Sequence, residues 1–139
     1  MSNKFEQISL KPGFMKHNGG ILFKTISENE YHFKTIIKEN HLNAAGITHG
    51  GFIAALVDAG AGTAAHRSAF NNTCVTISLE LKFISPVQLD QELLGKTKIQ
   101  KKTKSMIFLT CELKASNKIV ATASGVLKIL KLSGAGPGG

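Results

Sequence analysis

The chain has 139 residues, 42% hydrophobic and 19% charged, a size and composition that suit one globular domain with a real core and exclude a disordered chain. Lys and Arg number 17 against 9 Asp and Glu, a net charge of +8, yet Arg67 is the only arginine, Trp is absent and Tyr occurs once. Nucleic-acid grooves lean on arginine readout and aromatic stacking, so no nucleic-acid partner is expected and the excess fits a phosphorylated small molecule or simply a soluble basic surface.

No apolar run approaches the roughly 20 residues that span a bilayer, and the N-terminus, Met1 to Gln7, lacks the apolar core of a signal peptide. The cytoplasm is therefore the expected compartment. Along the chain, residues 1–15 form a short, weakly amphipathic segment closed by Pro12-Gly13, and His17-Asn18-Gly19-Gly20 reads as a turn. Ile21 to Ser27 and Tyr31 to Ile37 read as two strands, and Asn40 to Thr48 as a loop. His49 to about Phe70 reads as one Ala-rich helix ended by Asn71-Asn72. The period then changes. From Cys74 to Ser85, Val75, Ile77, Leu79, Leu81 and Phe83 alternate with Thr76, Ser78, Glu80 and Lys82, the pattern of a half-buried antiparallel strand that Pro86 ends. Glu92 to Ile99, Met106 to Leu113 and Ile119 to Leu130 complete about six strands, joined by turns at Lys101 to Ser105 and Ser116-Asn117-Lys118. The residues up to 132 form a single domain in this reading, and Ser133 to Gly139 a flexible tail or cloning scar. A helix apolar nearly all round must be covered by a sheet, so the expected class is α+β, a long helix wrapped by a curved antiparallel sheet. Gly60 and Gly62 each cost the helix roughly 1 kcal/mol relative to Ala, which makes sense where a neighbour comes close.

Two features of the helix carry chemistry. Its start, His49-Gly50-Gly51, offers unpaired backbone N–H groups and the positive end of the helix dipole. Glycine lets a substrate oxygen approach, which is how an oxyanion hole is made from backbone; the alternative is a tight turn before the helix. Asp58 is the only formally charged residue between His49 and His66. A carboxylate buried on such an apolar stretch is costly unless paired or used. It could be a general base, a nucleophile or a structural acid. Eight residues separate Gly50 from Asp58, about 12 Å of helix, whereas one reacting carbonyl needs both groups within about 3 Å. If both are catalytic, two helices packed about a two-fold axis must supply them, and the protein is an obligate dimer with two composite sites.

Other residues narrow the field. His49 could orient a substrate or fix the helix start; His41 and His66 have no partner spacing and read as structural. No metal-site spacing is present, nor a Gly-x-Ser-x-Gly elbow, nor a nucleotide-binding glycine pattern. Cys74 and Cys111 read as small buried residues and not as a disulfide. Lys96, Lys98, Lys101, Lys102 and Lys104 form either a solvated hairpin or a phosphate site, and the two are compatible.

The run from Asn43 through Thr48-His49-Gly50-Gly51 to Asp58 resembles the signature of the hotdog-fold acyl-CoA thioesterases, most closely the phenylacetate-degradation (PaaI-type) branch. Phe83-Ile84-Ser85-Pro86-Val87 and the strand from Ile119 to Gly125 resemble the family too, so the likeness covers roughly residues 20 to 130. It implies a hotdog fold, dimers with a continuous sheet and often tetramers, and hydrolysis of an acyl-CoA to free acid and CoA. It implies no cofactor, coenzyme A being part of the substrate. By position, Asp58 corresponds to the base or nucleophile, and Gly50 N–H to the donor that binds the thioester oxygen. Asn43 and His49 would support the opposite subunit's site, Thr76 would position water, Gly51 would touch substrate, and Lys101 and Lys102 are candidates for the CoA phosphates. The dehydratase segment of other hotdog proteins is absent. The competing expectations are a hydratase or dehydratase on the same fold and a non-catalytic acyl-CoA-binding protein; release of free thiol separates them from a thioesterase.

Overall fold

A computed structural model describes residues 4–130; the expected tail, 133–139, and the extreme ends of the expected domain lie outside them. The strands are β1 (Glu6–Gln7), β2 (Leu22–Thr25), β3 (Glu30–Ile36), β4 (Cys74–Phe83), β5 (Glu92–Lys102), β6 (Met106–Ala115) and β7 (Lys118–Ile129). The helices are a single turn, α1 (Phe14–His17), and the long α2 (Gly50–Ser68). All strands pair antiparallel in one open sheet of order β1-β2-β3-β5-β6-β7-β4. The α+β expectation of a helix held in a curved sheet stands. The strand beyond the six is β1, two residues with no alternation of their own, placed by backbone pairing of Glu6 with Phe23 and Gln7 with Leu22.

One face of the sheet meets α2. Phe52, Ile53, Leu56, Val57, Ala61, Ala64 and Ala65 pack there against Tyr31, Phe33, Leu93, Ile107, Leu109, Leu113 and Leu127, all buried. The Phe33 ring lies between helix and sheet where a Cβ on either Gly60 or Gly95 would collide with it. Gly60 thus serves close approach, as expected. Gly62 does not: nothing stands within 4 Å of where its Cβ would be, because it lies on the uncovered side of the helix.

That side corrects a second expectation. Asp58 is exposed, not buried. The sheet covers one face of α2, and residues spaced by three or four share a face. Gly51 and Asp58 are exposed, with half-buried Ala54, Ala55 and Gly62 between and beyond them. The edge strand β4 is open in the same way, with Val75 and Ile77 42% and 55% exposed.

The strict alternation read along β4 is also broken. Thr76 pairs with Leu127 but Ser78 with Val126, so Ile77 is the extra residue of a β-bulge. A one-residue insertion moves every following side chain to the other face. Before the bulge, Thr76 points at α2; after it, Leu79 and Leu81 do, packing against the core. Sequence alternation places Thr76 and Leu81 on opposite faces, and the bulge puts them on one. A second shift in β5, between Ile99 and Lys101, pairs Lys101 with Phe108 and Lys102 with buried Ile107.

Candidate active site

The chain from His41 to Gly50 is folded by side-chain hydrogen bonds. Asn43 Oδ1 accepts from the N–H groups of Ala45 (2.9 Å) and Ile47 (3.3 Å), the local bonding Asn favours in turns. Gly46 supplies the positive φ of 81° the turn needs. Thr48 donates from its N–H and its hydroxyl to the Val87 carbonyl. His41, buried and stacked on Phe52 at 3.7 Å, accepts from Lys38 N–H at Nδ1 and bonds the Asn18 carbonyl through Nε2. Its own carbonyl accepts from His49 N–H at 2.8 Å. His41 is therefore the structural histidine expected, and its task is to hold the entry to α2. His66 bonds the Asn72 carbonyl at the other end of the helix, again structural.

His49 is the N-cap of α2, with extended backbone (φ −62°, ψ 130°), and its Nδ1 accepts from Gly51 N–H at 2.8 Å. A Cβ on Gly51 would stand 2.9 Å from that nitrogen, so glycine here makes room for the capping ring. The Gly51 amide expected to touch substrate is thus already engaged by His49. The Phe52 and Ile53 amides bond the His49 carbonyl. What remains is Gly50, whose N–H has no acceptor among the described residues. Beside it lies the ring of Phe83, 3.6 Å from where a Gly50 Cβ would be. Alternation puts Phe83 on the apolar face of β4 with Leu79 and Leu81; that this end of the strand lies against the helix start leaves no mark in the residue pattern.

Two turns along α2, Asp58 Oδ1 accepts from the Thr76 hydroxyl at 2.8 Å. The bond joins helix to edge strand and fixes the carboxylate's direction, and Oδ2 has no partner among the described residues. Asp58 and Thr76 are thus brought together, as are His49, Gly50 and Phe83, while Asn43 shapes the loop before them; the two groups stand at separate places on one helix. The lysines are farther off. Lys102 Nζ donates to the Ser68 carbonyl at 2.6 Å and sits 4.8 Å from the Phe70 ring centre, closing the negative end of α2. Lys101 is exposed on the sheet face away from the helix. Among the described residues no group of three or more His, Cys, Asp or Glu could hold a metal, and no helix is long and apolar enough to cross a membrane. Both cysteines are free. Burial pushes the Cys111 thiol up to about 12 and raises that of half-buried Cys74, so neither has the thiolate character of a nucleophile.

The family model of the thioesterase superfamily matches residues 45–122, the stretch that holds the helix, the edge strand and most of the sheet. A Pseudomonas aeruginosa protein named as a "putative esterase" is 33% identical over 97 residues, covering 67% of this chain and 70% of its own. The chain belongs to the thioesterase superfamily and is a thioester hydrolase. Solved structures agree on the fold. Zebrafish thioesterase superfamily member 2 superposes with a TM-score of 0.80 at 19% identity, covering 88% of this chain and 90% of its own. The Escherichia coli PaaI protein of the phenylacetic acid degradation operon gives 0.77 at 19%, covering 84% and 83%. A hypothetical thioesterase protein of Streptococcus pneumoniae crystallised with coenzyme A gives 0.74 at 16%, covering 80% and 86%.

Proposed function

We propose that the protein hydrolyses acyl-CoA thioesters to a carboxylic acid and CoA, at two equivalent sites shared between the chains of a homodimer. One observation carries the reading. A free amide at Gly50 and an oriented carboxylate at Asp58 share the uncovered side of one helix, eight residues apart. About 12 Å of helix separates them, too far for one carbonyl. A two-fold axis beside α2 brings the Gly50 end of one helix to Asp58 of the other. The exposed β4 edge supports the same pairing, since a ten-residue edge with apolar side chains invites a second strand. Coenzyme A as the thiol half is supported by the pneumococcal fold neighbour that carries it.

In this site the thioester oxygen accepts from the Gly50 N–H of one chain, at the positive end of its helix. His49 and Asn43 keep that amide in place through the cap and the loop. The partner's Asp58, held by its Thr76, acts either as the base that takes a proton from water or as the nucleophile on the acyl carbon. In the first route hydroxide oxygen bonds to the carbonyl carbon, the C–S bond breaks, and the thiolate takes up the proton. In the second an acyl–carboxylate anhydride forms and water cleaves it. Both release one free thiol per acid formed, and neither calls for a cofactor. Of Lys101 and Lys102, Lys101 is the one left available for a CoA phosphate.

The test is thiol release from short, branched, aromatic and long acyl-CoAs. Silence of the wild-type protein on all of them would end this reading, whereas CoA binding without thiol release would favour a binding protein.

A further inference from the structure

We infer that Phe83 forms a wall of the acyl pocket and sets which acyl groups fit; this rests on the thioesterase reading above. Four phenylalanines are exposed enough to meet a substrate: Phe14 at 63%, on the short helix α1, Phe70 at 87%, Phe83 at 57% and Phe108 at 37%. Single exposed apolar side chains are ordinary on protein surfaces, so exposure alone selects none of them. Position does. Phe70 lies past the far end of α2, with the Lys102 ammonium over its ring. Phe108 lies on the face of the sheet turned away from the helix, opposite Lys101 and Val126. Phe83 alone touches the helix start that bears the unpaired amide, with three ring carbons 3.6–3.9 Å from the Cβ position of Gly50.

A carbonyl oxygen bound to the Gly50 N–H lies about 3 Å from that nitrogen. The carbonyl carbon has two arms, the acyl chain and the thiol sulfur, and one of them must pass close to the Phe83 ring. The surroundings favour the acyl arm. The Phe83 ring is an apolar surface without a donor, suited to a hydrocarbon and unsuited to the amide-bearing thiol arm. The bulge at Ile77 that aims Thr76 at Asp58 also aims Phe83 at Gly50, so one irregularity in β4 serves both halves of the site.

The experiment compares kcat/KM of the wild type, Phe83→Ala, Phe83→Leu and Phe83→Trp on acetyl-, butyryl-, benzoyl- and decanoyl-CoA. Pocket contacts of this kind discriminate by about 10–200-fold. Phe83→Ala should therefore raise the ratio of bulky to acetyl substrates about tenfold or more. Phe83→Trp should lower it, and Phe83→Leu should fall between. If every variant scales all four substrates by one common factor, Phe83 touches the thiol arm or only the fold, and the inference is overturned. The same holds if Ala and Trp move the ratio in one direction. Should Phe83→Ala fail to fold, the Leu and Trp variants, which keep the apolar bulk, decide the matter. A wild type inactive on all four overturns the thioesterase reading itself, which is a different outcome from an active wild type with unmoved ratios.

Discussion

The two ends of the first three turns of α2 are built on opposite plans. At Gly50 the working group is backbone: an amide left over after His49 has capped its neighbour, held by a loop whose Asn43 bonds its own amides and whose Thr48 bonds the Val87 carbonyl. At Asp58 the working group is a side chain, exposed and oriented by one hydroxyl from the edge strand. The first end is rigid because its loop and stacked His41 leave it little freedom. The second is placed by a single bond across two elements, and its other oxygen has no partner among the described residues. A backbone donor suits a task of receiving charge in a fixed place, and a lone carboxylate suits a task of moving a proton or an acyl group.

The largest test removes the side-chain end. Asp58→Asn keeps an acceptor for Thr76 and lies on the surface, so the fold should persist while thiol release falls about 10²–10⁴-fold. Near-wild-type kcat in this variant would remove Asp58 from the chemistry. The backbone end can be removed as cleanly. Gly50 is the first residue of α2, where proline is favoured because its N–H is not needed by the helix. His49 already has the extended backbone that must precede a proline. A Cβ at position 50 meets Phe83 at ordinary contact distance. Gly50→Pro should therefore fold and lose about 10²–10³ in kcat; full activity in a folded variant would show that the amide receives no charge.

Mixing the two variants sharpens the comparison into a statement about assembly. Separately each is inactive. Unfolded together and refolded at equal amounts, half the dimers should be hybrids carrying one intact site, and about a quarter of the wild-type activity should return. Sites contained within single chains would give no recovery.

A milder change acts on the one bond that orients the acid. Thr76→Val keeps the shape and removes the donor. A hydrogen bond to a charged group is worth about 1.5–3 kcal/mol, so kcat should fall roughly ten- to a hundredfold, and Thr76→Ser should restore most of it. Equal loss in Ser and Val would mean that the methyl group's packing, and not the hydroxyl, matters.

Much of this was legible in the residues. The change from a helical to an alternating period at Cys74 marks the α+β order, and the eight-residue spacing of Gly50 and Asp58 fixes their separation once the helix is granted. What escaped depends on tertiary facts with no local signature. The bulge at Ile77 leaves the alternation of apolar and polar residues intact in the sequence while reversing what it means in space. The burial of Asp58 was inferred from apolar neighbours, but those neighbours belong to the covered face of α2. The role of Gly51 depends on the rotamer of His49, since only the ring's return onto the helix start takes up its amide.

The smallest expected effect concerns the lysines, where a charge run in the sequence suggested a phosphate site and the structure separates its members. Lys102 is committed to the Ser68 carbonyl at 2.6 Å, ten residues beyond Asp58 and at the opposite end of α2 from Gly50. Lys102→Met should cost about 0.5–1 kcal/mol of stability through the loss of a cation at the helix C-terminus, seen as a lowered midpoint in urea, with KM for the acyl-CoA unmoved. Lys101 pairs across to Phe108 on the outer face and is exposed. Lys101→Met should leave the urea midpoint in place, and if it meets a phosphate, KM should rise in a way that added salt diminishes for the wild type. A KM effect at Lys102 without a stability effect would reverse the assignment and bring the phosphates to the C-terminal end of the helix.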